Sequence, residues 1–288
     1  MRPKTFQLAN GTIVQNTLTA SEQASALAAY YHAPMAPVPG RVLQGLNQGP
    51  INASKMMPFT DINRLFDPGY LPDENSYGVF NDGSCYAASL IDMPGVTGEM
   101  LDWWFAWHPL EAIRYKIWFP SAHFGISADD PDRLADTTLS YQDRYQEMSQ
   151  YPVEDVGGSI EQLEIHFVTP EHMGFDTRRM TASGVPTIIC GDVGNVSPNL
   201  MHTKMVHFIR NTSGGVEMRS RFWMMGDLQI TGHKTLSKLV STKPGRRFVT
   251  RSEHTTALEL AHNMAQHDAA EYHNLASILP ELYAKYRN

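Results

Sequence analysis

The sequence predicts an α+β fold, with a strand-rich domain over residues 76–288 behind a small, loop-rich N-terminal region of residues 1–75. Three observations predict it. From Ser76 onward turn signals such as Asn81-Asp82-Gly83 and Pro94-Gly95 bracket short apolar runs; a hairpin is written around Asn211-Thr-Ser-Gly-Gly215; and the chain closes on one long helical pattern.

The N-terminal region is rich in Pro, Gly, Asn and Met, with one helix-like stretch, Ala20 to Tyr31, opened by Ser21 and Glu22. Thr97 then precedes Met100, Trp103, Trp104 and Trp107, whose three- and four-residue spacing predicts a short helix buried by its aromatic face. Ile113 to Phe119 alternates, with Ile113, Tyr115, Ile117 and Phe119 on one side, and reads as a half-buried strand. Residues 129–158 read as a long polar excursion with one helix near Leu139 to Ser149; excursions of this length inside a domain are usually functional. Strands follow at Gln162–Val168, Val185–Cys190, Met201–Arg210 and Val216–Met225. In the last pair Met201, Thr203, Met205, His207 and Ile209 share one face, as do Met218, Ser220, Phe222 and Met224. A Met-rich and aromatic face with a single histidine suits a pocket lining as well as plain core packing. The closing helix opens with a capping box, Thr250 with Glu253, and runs to Leu279, where Pro280 ends or kinks it.

Composition narrows the function. The chain has 288 residues, 23 Lys+Arg against 30 Asp+Glu and a net charge of −7, so it carries no general field for phosphate backbones, and nucleic acid is not expected as a partner. The one basic cluster is Lys243–Arg247. Neither a secretory apolar run nor a stretch of about eighteen apolar residues is present, which predicts a soluble, cytoplasmic protein with no membrane partner. The only cysteines, Cys85 and Cys190, lie far apart without a CxxC partner; they offer neither a disulfide framework nor a thiolate zinc site and are expected to be buried. Twelve histidines, by contrast, are plentiful.

On the closing helix Leu260, Met264, His267, Glu271, Leu275 and Ile278 follow one another on one face. His267 and Glu271 are one turn apart, so both can reach one ion. Buried without a partner they would cost several kcal/mol, which a metal would remove. His262 and His273 lie off this face and read as surface residues. Further ligands must come from the sheet and its loops. Spacing leaves His123, Glu154, His108, Glu161, Glu164, His166, His202 and His207 open, and the donors suit zinc while tolerating manganese or iron(II).

Four segments together carry a resemblance: Met93-Pro-Gly-Val-Thr-Gly-Glu-Met100, Asp102-Trp-Trp-Phe-Ala-Trp-His108, Arg114-Tyr-Lys-Ile-Trp-Phe-Pro120 with His123, and the stretch from His267 and Glu271 to Tyr283. They resemble the 2,4-diacetylphloroglucinol hydrolase family, which includes phloretin hydrolases, over roughly residues 75–285. The resemblance implies a Bet v1-like, helix-grip domain, a curved antiparallel sheet around the long C-terminal helix, with a zinc ion (Zn2+) between them. It implies His123, Glu154, His267 and Glu271 as the metal ligands. Tyr115 matches a contact to a ring hydroxyl, and His207 matches a pocket histidine that binds a hydroxyl or moves a proton. Catalytic candidates are thus His207, Tyr115 and Glu154, and substrate-binding candidates Tyr115, His207 and Phe222.

The implied activity is hydrolysis of the carbon–carbon bond between a phloroglucinol ring and its acyl group, with a small phenolic ketone as substrate and a homodimer as the assembly. Zinc would polarise the ketone or lower the pKa of water, while the ring's phenolic oxygens take up the charge of the departing carbon. The diacetylphloroglucinol-cleaving members are expected to carry tyrosine where Phe222 stands, which opens a phloretin-type, dihydrochalcone substrate as the alternative. A non-catalytic carrier of phenolic ligands is the competing class, because a fold does not fix a function.

Overall fold

In the computed structural model, which describes residues 3–230, 233–242, 244, 245 and 256–287, a short hairpin of β1 (Thr5–Gln7) and β2 (Ile13–Gln15) precedes the main sheet. The main strands are β3 (Ser76–Val79), β4 (Cys85–Pro94), β5 (His123–Ala128), β6 (Met148–Asp155), β7 (Ile160–Val168), β8 (Thr187–Asn195), β9 (Leu200–Thr212) and β10 (Gly215–Ile230). They form one eight-stranded sheet in the order β3-β4-β10-β9-β8-β7-β6-β5. Every neighbouring pair is antiparallel. With the C-terminal helix Ala257–Tyr286 laid against it, the fold is α+β and compatible with a helix grip. The two faces read from the last hairpin are present: Met205 pairs with Phe222, His207 with Ser220 and Ile209 with Met218.

The middle of the sheet is buried on both sides. Toward the closing helix, Ala87, Ile91, Ile189, Met205, Ile209, Met218 and Phe222 pack with Ala261, Ala265, Ala269, Leu275 and Leu279. Alanines at four-residue intervals let the helix approach closely, and Ser89 Oγ donates to the Ala265 carbonyl at 3.4 Å. On the opposite face Tyr86, Ile188, Val206, Phe208 and Trp223 form a second core with Met56, Met57, Ile62, Leu65 and Phe66 of the N-terminal region. Double coverage explains why β10 is buried continuously from Val216 to Met225 instead of alternating. It also buries Arg219 and Arg221, whose charges meet Glu74: Arg219 Nη2 donates to Glu74 Oε1 at 2.6 Å and Arg221 Nη2 to Glu74 Oε2.

Several segments differ from the sequence expectations. Ile113 to Phe119 is not a strand; Ala112–Lys116 is a short helix, continued by Ile117 N–H to the Ile113 carbonyl at 3.0 Å. Ile113 and Ile117 satisfy helical as well as strand spacing, and a short apolar run does not distinguish the two. The stretch Ala20 to Tyr31 is two helices, Ala20–Gln23 and Ala28–His32, and Thr19 with Glu22 makes the capping box of the first. In the polar excursion the helix is only Tyr141–Tyr145, capped by Ser140, and from Met148 the chain is strand β6. Polar Ser149 and Gln150 are buried there, which hid the strand. The closing helix does not end at Leu279; it continues through Pro280 to Tyr286, because Leu282 and Tyr283 are buried and Tyr283 meets Trp103 edge-on at 5.4 Å. Thr250 and Glu253 lie outside the described residues, and the capping box seen is Thr256 with Glu259. His273 is buried, not a surface residue, with Nδ1 2.7 Å from the Ala269 carbonyl.

The helix Gly98–Trp107 is capped by Thr97, as predicted, and Trp103 stacks on Trp107 with centroids 4.7 Å apart. Both cysteines are buried and free. Among the described residues no helix is long and apolar enough to cross a membrane.

Candidate metal centre and cavity

His123 opens β5, and a bulge decides where it points. Gly125 pairs with Val153, so regular pairing would set Phe124 opposite Glu154; instead His123 takes that place. The extra residue reverses the alternation, bringing His123 onto the inner face with Glu154. From the closing helix His267 and Glu271 project toward the same point.

The four side chains converge. His123 Nε2 lies 3.4 Å from Glu271 Oε2 and 3.7 Å from Glu154 Oε2, while His267 Nε2 lies 3.8 Å and 3.9 Å from the same two oxygens. His123 Nδ1 is 2.9 Å from the Tyr115 carbonyl, which can only accept, so the ring's hydrogen sits on Nδ1 and the Nε2 lone pair faces the cluster. The Tyr115 ring stacks flat on His123, with centroids 3.8 Å apart. Its hydroxyl donates to Glu154 Oε2. Both Nε2 atoms, of His123 and His267, are buried without a hydrogen-bond partner.

Burial sets the electrostatics. It pushes the Glu154 carboxyl up to about 7, against the Tyr115 hydrogen bond, and Glu271 well above the usual range, with the neighbouring Glu154 adding to the rise. It drives the His123 imidazole well below its ordinary value and His267 down to about 4. A cation at the centre of two neutral imidazoles with orphaned lone pairs and two carboxyls that resist ionising would take up the lone pairs and favour the ionised carboxylates. His123, Glu154 and His267 have donor atoms close enough to share one ion, and the Glu271 distances add a fourth donor, an oxygen. This donor set fits zinc.

The two carboxylates of the cluster, Glu154 and Glu271, line a cavity of about 120 Å³, close to the size that holds a single benzene ring. Phe105, His108, Tyr115, Trp118, Met205, His207, Phe222, Met224 and Tyr272 line it, together with Glu154 and Glu271. The predicted pocket residues Tyr115, His207 and Phe222 are therefore together in it. Of the remaining ligand candidates, His108, Glu161 and His202 line the cavity outside the cluster. His108 is tied to the Trp104 carbonyl at 2.7 Å, and His202 to Asn195 at 2.8 Å and Thr203 at 2.7 Å. Glu164 and His166 meet Ser149 instead. His207 is held by Ser220 Oγ at 2.8 Å and Tyr272 Oη at 2.9 Å, and burial pushes its imidazole down to about 3.

Sequence reasoning missed Tyr272, Trp118 and Asp268. Tyr272 immediately follows Glu271 and carried no signal of its own. Trp118 donates Nε1–H to the Glu271 carbonyl at 3.0 Å, tying the loop before β5 to the closing helix. Asp268 is fully buried beside His207, with its carboxyl pushed up to about 7 by burial.

Fold and site define a protein in which a sheet and one long helix enclose an aromatic cavity bearing a buried two-histidine, two-carboxylate cluster. The family described as DAPG hydrolase PhiG domain matches residues 56–284, and the chain belongs to that family. It is similar to a 2,4-diacetylphloroglucinol hydrolase of a Pseudomonas species, 30% identical over 256 residues covering 86% of this chain and 84% of the relative. It is also similar to a phloretin hydrolase of Eubacterium ramulus, 31% identical over 262 residues covering 89% and 88% of the two chains.

Proposed function

We propose that this protein is a zinc-dependent hydrolase that cleaves the carbon–carbon bond joining a phloroglucinol ring to its acyl group, in a Bet v1-like domain of residues 76–288 behind an N-terminal region of residues 1–75. The observation that carries the reading is the pair of orphaned Nε2 atoms, His123 and His267, converging on Glu154 and Glu271 in the wall of an aromatic cavity. Both relatives are named for acylated phloroglucinol-type phenols, and aromatic and methionine side chains beside the two carboxylates suit a phenol ring.

Zinc held by His123, Glu154, His267 and Glu271 would supply Lewis-acid polarisation of the ketone and a lowered pKa for water. The rest falls to the chain. Phe105, Trp118 and Phe222 exclude bulk water, which strengthens every polar contact inside. Tyr115 orients Glu154 through its hydroxyl and His123 through its carbonyl, so it positions the cluster; a ring-hydroxyl contact has to share that hydroxyl with Glu154. His207 is neutral and lines the cavity, and a ring-hydroxyl contact there has to share a nitrogen already bonded to Ser220 or Tyr272. The products are a deacylated phenol and a carboxylic acid.

Phe222 favours a second substrate within the same chemistry. It presents no hydroxyl to the acyl group, and with Met205 and Met224 it makes an apolar wall suited to the arylpropanoyl arm of phloretin. The homodimer and the cytoplasmic location belong to this proposal, and light scattering of the purified protein tests the first.

Elemental mass spectrometry of protein purified without added metal or a His tag, followed by turnover of diacetylphloroglucinol and phloretin, tests the reading. About one zinc per chain and release of a carboxylic acid are expected. A chain that holds no metal, takes none up and binds phenolic ketones without cleaving them would be a carrier, and the proposal would fall.

A further inference from the structure

His207 has both ring nitrogens engaged, and the two partners come from different elements. Nδ1 lies 2.8 Å from Ser220 Oγ, directly across the β9–β10 pair, and Nε2 lies 2.9 Å from the Tyr272 hydroxyl on the closing helix. Ser220, His207 and Tyr272 are each at most 1% exposed. A neutral imidazole donates at one nitrogen and accepts at the other, so the three groups form a hydrogen-bonded line with two directions. In one, Ser220 donates to Nδ1, Nε2–H donates to the tyrosine oxygen, and the tyrosine hydrogen is free for the cavity. In the other, the tyrosine gives its hydrogen to Nε2 and offers only lone pairs.

Tyr272 lines the cavity and follows Glu271 in the closing helix, so its hydroxyl is anchored at one end by His207 while its neighbour belongs to the donor cluster. We propose that Tyr272 is a catalytic residue: its hydroxyl binds the ring oxygen adjacent to the acyl group and donates to it as charge builds there during carbon–carbon cleavage, with His207 and Ser220 as the positioning residues that aim it. The inference rests on the acylphenol hydrolase reading and adds to it a substrate requirement, a free hydroxyl ortho to the acyl group. When the carbon–carbon bond breaks, its electron pair passes into the ring and onto that oxygen. The water oxygen bonds to the acyl carbon; one of its hydrogens stays in the carboxylic acid and the other ends on the ring carbon. Tyr272 keeps its own hydrogen throughout and stabilises the oxygen, the service an oxyanion donor performs. Only the direction in which Ser220 donates to Nδ1 and Nε2–H donates to the tyrosine oxygen leaves the Tyr272 hydrogen for the ring oxygen, so that is the state in which substrate is bound.

The test compares wild type, Tyr272→Phe and Ser220→Ala on an ortho-hydroxyaryl ketone and its ortho-methyl ether, with metal content measured for each. Wild type should prefer the free phenol by at least 100-fold in kcat/KM, since a site built around a hydroxyl discriminates strongly against an analogue lacking it. Tyr272→Phe should lose about 10²–10³ in kcat, as removal of an oxyanion donor does, and reduce the preference to a few-fold with metal content unchanged. Ser220→Ala, which touches no substrate, should lower kcat with little change in KM, and Ser220→Thr should restore it. Phloroglucinol binding to metal-free protein, read by fluorescence of Trp118, whose ring meets Tyr272 edge-on at 5.1 Å, gives a readout independent of turnover. There Tyr272→Phe should weaken binding at least five-fold. Tyr272→Phe with wild-type kcat, preference and phloroglucinol affinity would overturn the inference. If wild type cleaves no acylphenol, the hydrolase reading fails, and equal phloroglucinol affinity of wild type and Tyr272→Phe would then sink the inference as well.

Discussion

The proposed zinc should add stability in a pH-dependent way, and the direction follows from the cluster. Burial raises the carboxyls of Glu154, to about 7, and Glu271, well above the usual range. In the metal-free chain the contribution of these two protonated carboxyls is complete below their unfolded values near pH 4.3; that of Glu154 is lost as pH rises through about 7, and that of Glu271 as pH rises through its own raised value. An ion must displace those protons, so the Glu154 proton alone lowers its affinity about ten-fold for each pH unit below 7, and the Glu271 proton adds to the fall. With zinc at about a thousand times its Kd near pH 8, the gain is about 4 kcal/mol. A chain of 288 residues unfolds with an entropy of about 0.6 kcal/mol/K, so Tm should rise by about 7 °C. Near pH 6 the Glu154 proton alone subtracts about 1.4 kcal/mol, so the rise should be no more than about 5 °C. Differential scanning calorimetry of chelator-stripped protein, with and without zinc at the two pH values, measures both numbers. His123→Ala and Glu271→Gln should abolish the shift. Equal shifts at both pH values, or a full shift in either variant, would refute the assignment of the four donors.

Three other perturbations probe the frame and the pocket. Asp102 is buried with Thr187 Oγ1 and Tyr145 Oη donating to it at 2.8 and 2.9 Å, yet burial still holds its carboxyl up at about 6. Its stabilising contribution is therefore present below about pH 4 and lost as pH rises through 6. Asp102→Asn should gain about 3 kcal/mol relative to wild type between about pH 4 and pH 7.5, read from urea denaturation at each pH. Burial would raise the Glu74 carboxyl, but Arg221 and Arg219 hold it below its ordinary range. Glu74→Gln leaves two buried guanidinium groups without a counter-charge and should cost about 3–5 kcal/mol in the same assay, with an unchanged dependence on urea concentration. Phe222→Tyr adds a hydroxyl to the cavity wall and, on the proposed reading, should move the ratio of kcat/KM values toward diacetylphloroglucinol and away from phloretin; an unchanged ratio would remove Phe222 from the substrate contacts.

The closing helix and the last hairpin were legible because their patterns are long. Thirty helical residues and two paired strands of thirteen and sixteen residues repeat their periods many times over. Elements that rest on a few residues were not. Ile113 and Ile117 fit two periods at once, and Pro280 reads as a stop although buried Leu282 and Tyr283 hold the helix together beyond it. The cluster was half legible: one helical turn relates His267 to Glu271, whereas His123 and Glu154 are joined only by strand pairing across thirty residues of sequence. That pairing depends on a bulge, which no local pattern announces. Tyr272 was hidden for another reason, since its partner His207 is a tertiary neighbour on a different element.

The same small departures that defeated the pattern reading place the chemistry. A regular strand through residues 113–119 would have sent the Tyr115 carbonyl into a sheet ladder. In the short helix it is free to accept from His123 Nδ1 and fix which nitrogen faces the cluster. A regular β5 would have offered Phe124, not His123, to the inner face opposite Glu154. Both irregularities need rigid support, and it comes from elsewhere: Trp118 and Asn274 tie this loop to the closing helix through the Glu271, Ile117 and Trp118 carbonyls. The helix that carries two of the four donors is thus locked by hydrogen bonds to the loop that presents a third. Movement of either element would separate the two histidines, so the two halves of the cluster are positioned as one unit.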